Sequence, residues 1–185
     1  MSPGEHGTPL DREEAIPVTL ADGKTIHVRG RVDRIDQLGE EELKNYAVWD
    51  YKTGSTWGFE EAQPFQQGRK VQSFLYVAMV GHVIKQEIDP TAEVKHFGFF
   101  FPGTKAVGDR ISWTPKQLAQ GREILQNLCR VIVDGAFLAT NDATDCRFCD
   151  YLPICGHEVE SLAQLKLDNP ANDLLEPMRQ LRAED

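Results

Sequence analysis

Tyr46-Ala-Val-Trp-Asp50-Tyr-Lys52-Thr-Gly54 is a strongly apolar run that ends on an acid, a lysine and a turn. A run of this length and composition reads as a strand. Side chains two apart on a strand share a face. Asp50 and Lys52 therefore point one way, and Trp49 and Tyr51 the other. Just upstream, Gly30-Arg-Val-Asp33-Arg-Ile-Asp36 carries a further acid on a segment that also alternates. A hairpin between the two segments sets Asp33 beside Asp50.

The other elements fall into place around this pair. Ala15 to Leu20 is a short apolar run, and Ala21-Asp22-Gly23-Lys24 has the Asp-Gly centre of a hairpin turn. Thr25 to Gln37 reads as one alternating strand, and Gly39 with Glu40, Glu41 and Glu42 as a loop. With Tyr46 to Tyr51 these strands predict an antiparallel meander. Phe65 to Gln86 has helical spacing of Val71, Phe74, Leu75, Ala78 and Met79. His96 to Phe101 is a buried strand stopped by Pro102-Gly103, and Arg110 to Trp113 a short one. Thr114-Pro115 supplies an N-cap and an N1 proline for a helix to about Ala139. Its expected inward residues are Leu118, Leu125, Leu128, Ile132 and Val133. This order predicts an α/β (α+β) fold with a mixed central sheet flanked by helices. Residues 1–13 read as a flexible lead-in, 14–157 as one domain, and 158–185 as a polar helical tail broken at Pro170.

Of the 185 residues, 41% are hydrophobic, enough for one core. No apolar run approaches the about 18 residues of a membrane span. The N-terminus has neither a basic region nor an apolar stretch of a signal peptide, so the expected compartment is the cytoplasm. A net charge of −9 argues against a grip on nucleic acid by the overall field. A local basic strip is still present in Arg29, Arg31, Arg34, Lys52, Arg69 and Lys70.

Paired carboxylates beside a lysine suit a specific chemistry. Mg²⁺ takes one or two carboxylates and keeps several waters. Asp33, Asp50 and the backbone carbonyl of Tyr51 are candidate ligands. A metal so held polarises a phosphate and acidifies a bound water, and Lys52 is placed to orient that water or to stabilise developing charge. Asp-x-Lys alone occurs by chance in most proteins. Its weight here comes from the apolar strand, the upstream Asp33 and the Thr53-Gly54 turn. There is no Ser/His/Asp order and no Walker loop.

Taken together, Gly-Arg-Val-Asp33-Arg-Ile-Asp36, Trp49-Asp50-Tyr-Lys52-Thr-Gly54 and Gln72-Ser-Phe-Leu-Tyr76 resemble the PD-(D/E)XK nuclease superfamily over roughly residues 14–157. The RecB-like branch, with AddB-type helicase–nuclease subunits and the cluster-bearing CRISPR-associated exonucleases, is the most similar. The resemblance implies a restriction-endonuclease-like core, Asp33 and Asp50 as metal ligands, and Lys52 as the catalytic lysine. Gln72 and Tyr76 would be the Gln-x-x-x-Tyr pair on one helix face beside the site and DNA. It further implies Mg²⁺ or Mn²⁺ as cofactor and DNA as substrate. Exonuclease action on single strands or duplex ends, a place in DNA repair or recombination, and a helicase subunit or domain as partner complete the expectation. The branch usually carries another acid or histidine on an upstream helix. Here Glu5 and His6 lie among Gly and Pro, and Glu13 or Glu14 is the acid nearest the first strand.

Cys146, Cys149 and Cys155 form C-x2-C-x5-C, a crowding that in a cytosolic chain favours metal over disulfides. In the resembling branch this spacing supplies three ligands of a [4Fe-4S] cluster, the fourth lying far upstream. No cysteine precedes Cys129, and Cys129 sits on an apolar helix face where a free thiol packs well. His157 offers a Cys3His zinc site as the alternative.

These residues support two functions. One is a metal-dependent deoxyribonuclease. The other is a catalytically impaired DNA-binding or helicase-docking module of the same fold, a fragment of a longer protein.

Overall fold

The computed structural model describes residues 7–40 and 44–183. The chain divides into two compact units, one running to Leu125 and one starting at Gln126, inside the stretch 14–157. The loop residues 41–43 and the head of the lead-in, residues 1–6, lie outside the described residues.

In the first unit, β1 (Ile16–Thr19) and β2 (Thr25–Val28) make an antiparallel hairpin of their own. Leu20 N donates to Lys24 O across the turn, and Gly23 takes the left-handed conformation that Asp-Gly turns need. The central sheet has the order β3-β4-β5-β6. Antiparallel pairs join β3 (Arg34–Leu38) to β4 (Asn45–Tyr51) and β5 (Glu93–Phe101) to β6 (Asp109–Trp113). β4 and β5 run parallel, linked through helix α1 (Gln72–Glu87). The expected mixed sheet is present, but the meander is not. Alternation continues through Arg29–Asp33, yet the chain leaves one sheet and enters the other there. Gly30 lies beside α1, where a Cβ would make ordinary contact with Tyr76 and Met79 at 3.4 Å.

β5 supplies most of the core. Phe97, Phe99 and Phe101 share one face and are buried, with Trp113 stacked on Phe97. α1 covers that face with Phe74, Met79, Val80, Val83 and Ile84. The helix starts at Gln72 rather than Phe65. Gln66, Gln67 and Gly68 have φ of 46°, 56° and 80°, three successive left-handed residues that no helix accommodates.

Thr114 and Gln117 form reciprocal side-chain to backbone bonds of capping-box type. Beyond them the chain makes a set of i→i+3 turns, and helix α2 (Gly121–Val133) begins only afterwards. Gly121 lies against Phe74, where a Cβ would come within 2.2 Å of the ring. Ile124, Leu125 and Val131 are buried, whereas Ile132 and Val133, expected inward, are 64% and 82% exposed.

In the second unit, α3 (Ala143–Cys146) and α4 (Leu152–Cys155) are single turns. α5 (Val159–Asp168) and α6 (Glu176–Ala183) flank Pro170. Val159, Ala163, Leu167 and Leu181 are its core. Arg179 ties α6 to the end of α5, donating to the carbonyls of Leu167, Asn169 and Asn172. Among the described residues no helix is long and apolar enough to cross a membrane.

Candidate active site

The register of β3 on β4 brings the two expected acids together. Arg34 pairs with Trp49, so one residue further Asp33 stands opposite Asp50. The Asp33 carboxylate accepts a 2.7 Å hydrogen bond from the Tyr51 amide, the one that comes after Asp50. Asp33 is exposed. Asp50 is 5% exposed, at the end of β4 among the apolar side chains of the sheet.

Gln72 at the start of α1 locks the second half of the site. Its Nε2 donates to Asp50 Oδ1 at 2.8 Å, and its Oε1 accepts from Lys52 Nζ at 3.2 Å. Chemistry dictates that amide orientation, since the reverse would face a carbonyl to a carboxylate and an NH₂ to an ammonium. Lys52 Nζ also lies 2.5 Å from Asp50 Oδ2. That oxygen is buried, and the ammonium is its charged partner. Below it, the ammonium sits 4.9 Å from the centre of the Phe99 ring.

Tyr76 has a different task. Its hydroxyl donates to the Arg31 carbonyl at 2.6 Å, and its ring meets Phe97 edge-on. It thus holds the loop that delivers Asp33. Tyr51 points to the opposite sheet face, where its hydroxyl accepts from Arg34. Asp36 pairs with Arg34 at 2.6 Å and takes no part in the site. Glu13 and Glu14 are exposed and, among the described residues, join no ion pair; Glu5 and His6 lie outside the described residues.

Pattern reading passes over a loop beside this site. Phe59 packs edge-on against Phe99 and Phe101, with ring centres 4.8 and 5.3 Å apart. Lys70 Nζ sits 3.6 Å from the Phe59 ring centre. Burial, and secondarily the charge of Lys52, push the Lys70 amine below the usual lysine range. Within a single sequence, only the cluster of aromatic residues in β5 hints at such a platform.

The oxygen donors fit a hard divalent cation in kind. Asp50 and Asp33 offer carboxylate oxygens on neighbouring strands, and Mg²⁺ needs no more than two carboxylates plus water. Among the described residues no three His, Cys, Asp or Glu side chains gather as a metal-holding group. Cys146 is half-buried and Cys149 and Cys155 are exposed, Cys146 and Cys155 each closing a one-turn helix and Cys149 lying between them. Modest burial first, then Glu160 and the neighbouring thiols and acids, push the Cys146 thiol up.

A mixed α/β sheet with an acid and a lysine on one strand end, and a second acid across from it, defines a restriction-endonuclease-like fold. A sequence model of the PD-(D/E)XK nuclease superfamily matches residues 4–156, and the chain belongs to that superfamily. Membership implies nuclease chemistry in general, with DNA as substrate and a divalent metal such as Mg²⁺ or Mn²⁺ as the usual cofactor. No curated protein and no solved structure matches the chain.

Proposed function

We propose that this chain is a Mg²⁺- or Mn²⁺-dependent deoxyribonuclease acting as an exonuclease on single strands or duplex ends. The carrying observation is the interlocked set of Asp50, Lys52 and Gln72, with Asp33 anchored on the next amide. Asp33 and Asp50, with the Tyr51 carbonyl, would hold the ion. When bound, it polarises the phosphate and acidifies a water. Gln72 fixes both the carboxylate and the ammonium, so neither has to reorganise during reaction. Lys52 presents its charge beside the same carboxylate and orients the attacking water. Tyr76 keeps the Arg31–Asp33 loop against α1. A cytoplasmic place in DNA repair or recombination, and a helicase partner, rest on the resemblance of the motifs to the RecB-like branch. A [4Fe-4S] cluster or zinc at Cys146, Cys149 and Cys155 rests on their spacing alone.

The test is cleavage of an end-labelled oligonucleotide with Mg²⁺. Asp50→Asn and Lys52→Ala should each lower the rate by about 10²-fold or more. Undiminished cleavage by Asp50→Asn would sink the assignment. The absence of a third gathered acid among the described residues favours a second reading, a non-catalytic DNA-binding or docking module. Calorimetry separates the two. Mn²⁺ binding that vanishes in Asp33→Ala and Asp50→Ala supports the enzyme, and a folded chain that binds no Mn²⁺ supports the module.

A further inference from the structure

We infer that Trp57 is a stacking platform for an unpaired nucleobase of a strand whose backbone passes Lys70 and Lys52. This rests on the nuclease reading and names the form of DNA that the site takes. Trp57 is 82% exposed, although tryptophan is a residue that folded chains bury. Its exposure does not come from a loose loop. The next carbonyl, that of Gly58, accepts hydrogen bonds from Gln66 Nε2 at 2.8 Å and from Lys70 Nζ. One residue further, Phe59 is wedged against Phe99 and Phe101. The Trp113 indole N–H donates to the Glu61 carbonyl at 2.7 Å, pinning the loop from its other side. An indole held in water by an anchored backbone loses little entropy when it takes a partner.

The anchor leads directly to the chemistry. The Phe99 ring carries Phe59 at 4.8 Å and the Lys52 ammonium at 4.9 Å. Lys70 lies over Phe59, so both ammonium groups sit on one connected stack of rings. An anionic backbone drawn to these ammonium groups passes the loop that Lys70 binds at Gly58, and its bases then reach the indole of Trp57. Stacking needs an open base face, which the interior of a duplex does not provide. Because every base has such a face, the contact is tolerant of sequence. An apolar patch for a protein partner would gain nothing from the two lysines.

Binding is measured by fluorescence anisotropy of a labelled single strand, with Ca²⁺ in place of Mg²⁺, on the full chain. Base–aromatic stacking predicts that Trp57→Ala weakens binding roughly 5- to 150-fold, with Trp57→Phe recovering most of it. An abasic position that weakens wild-type binding should have no effect on Trp57→Ala, because both remove the same contact. Blunt duplex binding should not change. Wild-type strand binding that is indifferent to Trp57→Ala, or losses from the variant and the abasic site that simply add, would overturn the inference while leaving the nuclease reading standing. A wild-type chain that binds no DNA would overturn both.

Discussion

Lys52→Ala is usually a test of catalysis, but here it is also a test of folding. Lys52 Nζ stands 2.5 Å from Asp50 Oδ2, and the side chains are 28% and 7% exposed. Removing one partner of a buried pair costs about 3–5 kcal/mol, chiefly because the other charge stays behind in a poor solvent. The partial exposure of Lys52 lets water into part of the vacated space, and Gln72 still donates to Oδ1. The loss expected is therefore about 2–3 kcal/mol. For a chain of this size that lowers Tm by about 4–12 °C. The assay is thermal unfolding by circular dichroism in EDTA, then with Mn²⁺. A divalent ion beside Oδ2 supplies the positive charge that the mutation withdrew. Mn²⁺ should thus raise the Tm of the variant more than that of the wild type. A variant that melts with the wild type in EDTA would show that the ion pair does not form and would refute the reasoning.

Packing and charge set two further outcomes. In Gly98→Ala the new Cβ meets Trp49 at 2.4 and 2.8 Å and the Ile111 carbonyl at 3.0 Å, and only the indole can move. The overpacking should cost about 1–3 kcal/mol, with Trp49→Val in the same chain restoring much of it; wild-type melting of the single variant contradicts that geometry. For Lys70, burial and Lys52 hold the amine below its ordinary value of 10.5. The penalty on the charged form is then full below the folded-state value and fades as pH rises toward 10.5. Denaturant titrations at neutral pH and at pH near 10 should show the wild type gaining on Lys70→Met, and a constant gap would exclude the effect.

Which parts of the molecule were legible in sequence depends on the range of the forces involved. Period-two alternation placed Asp50 with Lys52, and turn chemistry placed the Asp22-Gly23 hairpin, because both are set by neighbours along the chain. Motif likeness added Gln72, whose partners lie across the fold. The break between β2 and β3 escaped because Arg29–Asp33 keeps alternating while the chain passes from one sheet to the other. The start of α1 escaped for a similar reason. Gly68 is the one residue of Phe65–Lys70 that speaks against a helix, and a lone glycine does not stop one; the left-handed turn at Gln66–Gly68, which leads the chain around the buried Phe65, does. Ile132 and Val133 keep helical spacing and yet face out, since spacing gives a stripe and not what covers it.

The burial of Asp50 separates a structural role from a chemical one. Val48 and Phe97 on the same sheet face are fully buried, and Phe99, beside Asp50, nearly so. A charged carboxylate, even one paired with Lys52 and Gln72, is a costly choice for such a place. Replacing a buried ion pair by apolar residues of similar volume is often neutral or stabilising by about 1–4 kcal/mol. If the pair exists for chemistry, Asp50→Leu with Lys52→Met should melt at or above the wild type while cleavage is lost. Lys52→Ala alone should remain less stable, because it strands the carboxylate that the double variant removes. A double variant that is markedly less stable than the wild type would show that Asp50 and Lys52 hold the strand end together, and the case for a site selected by its chemistry would then fall to Asp33 and the Trp57 loop.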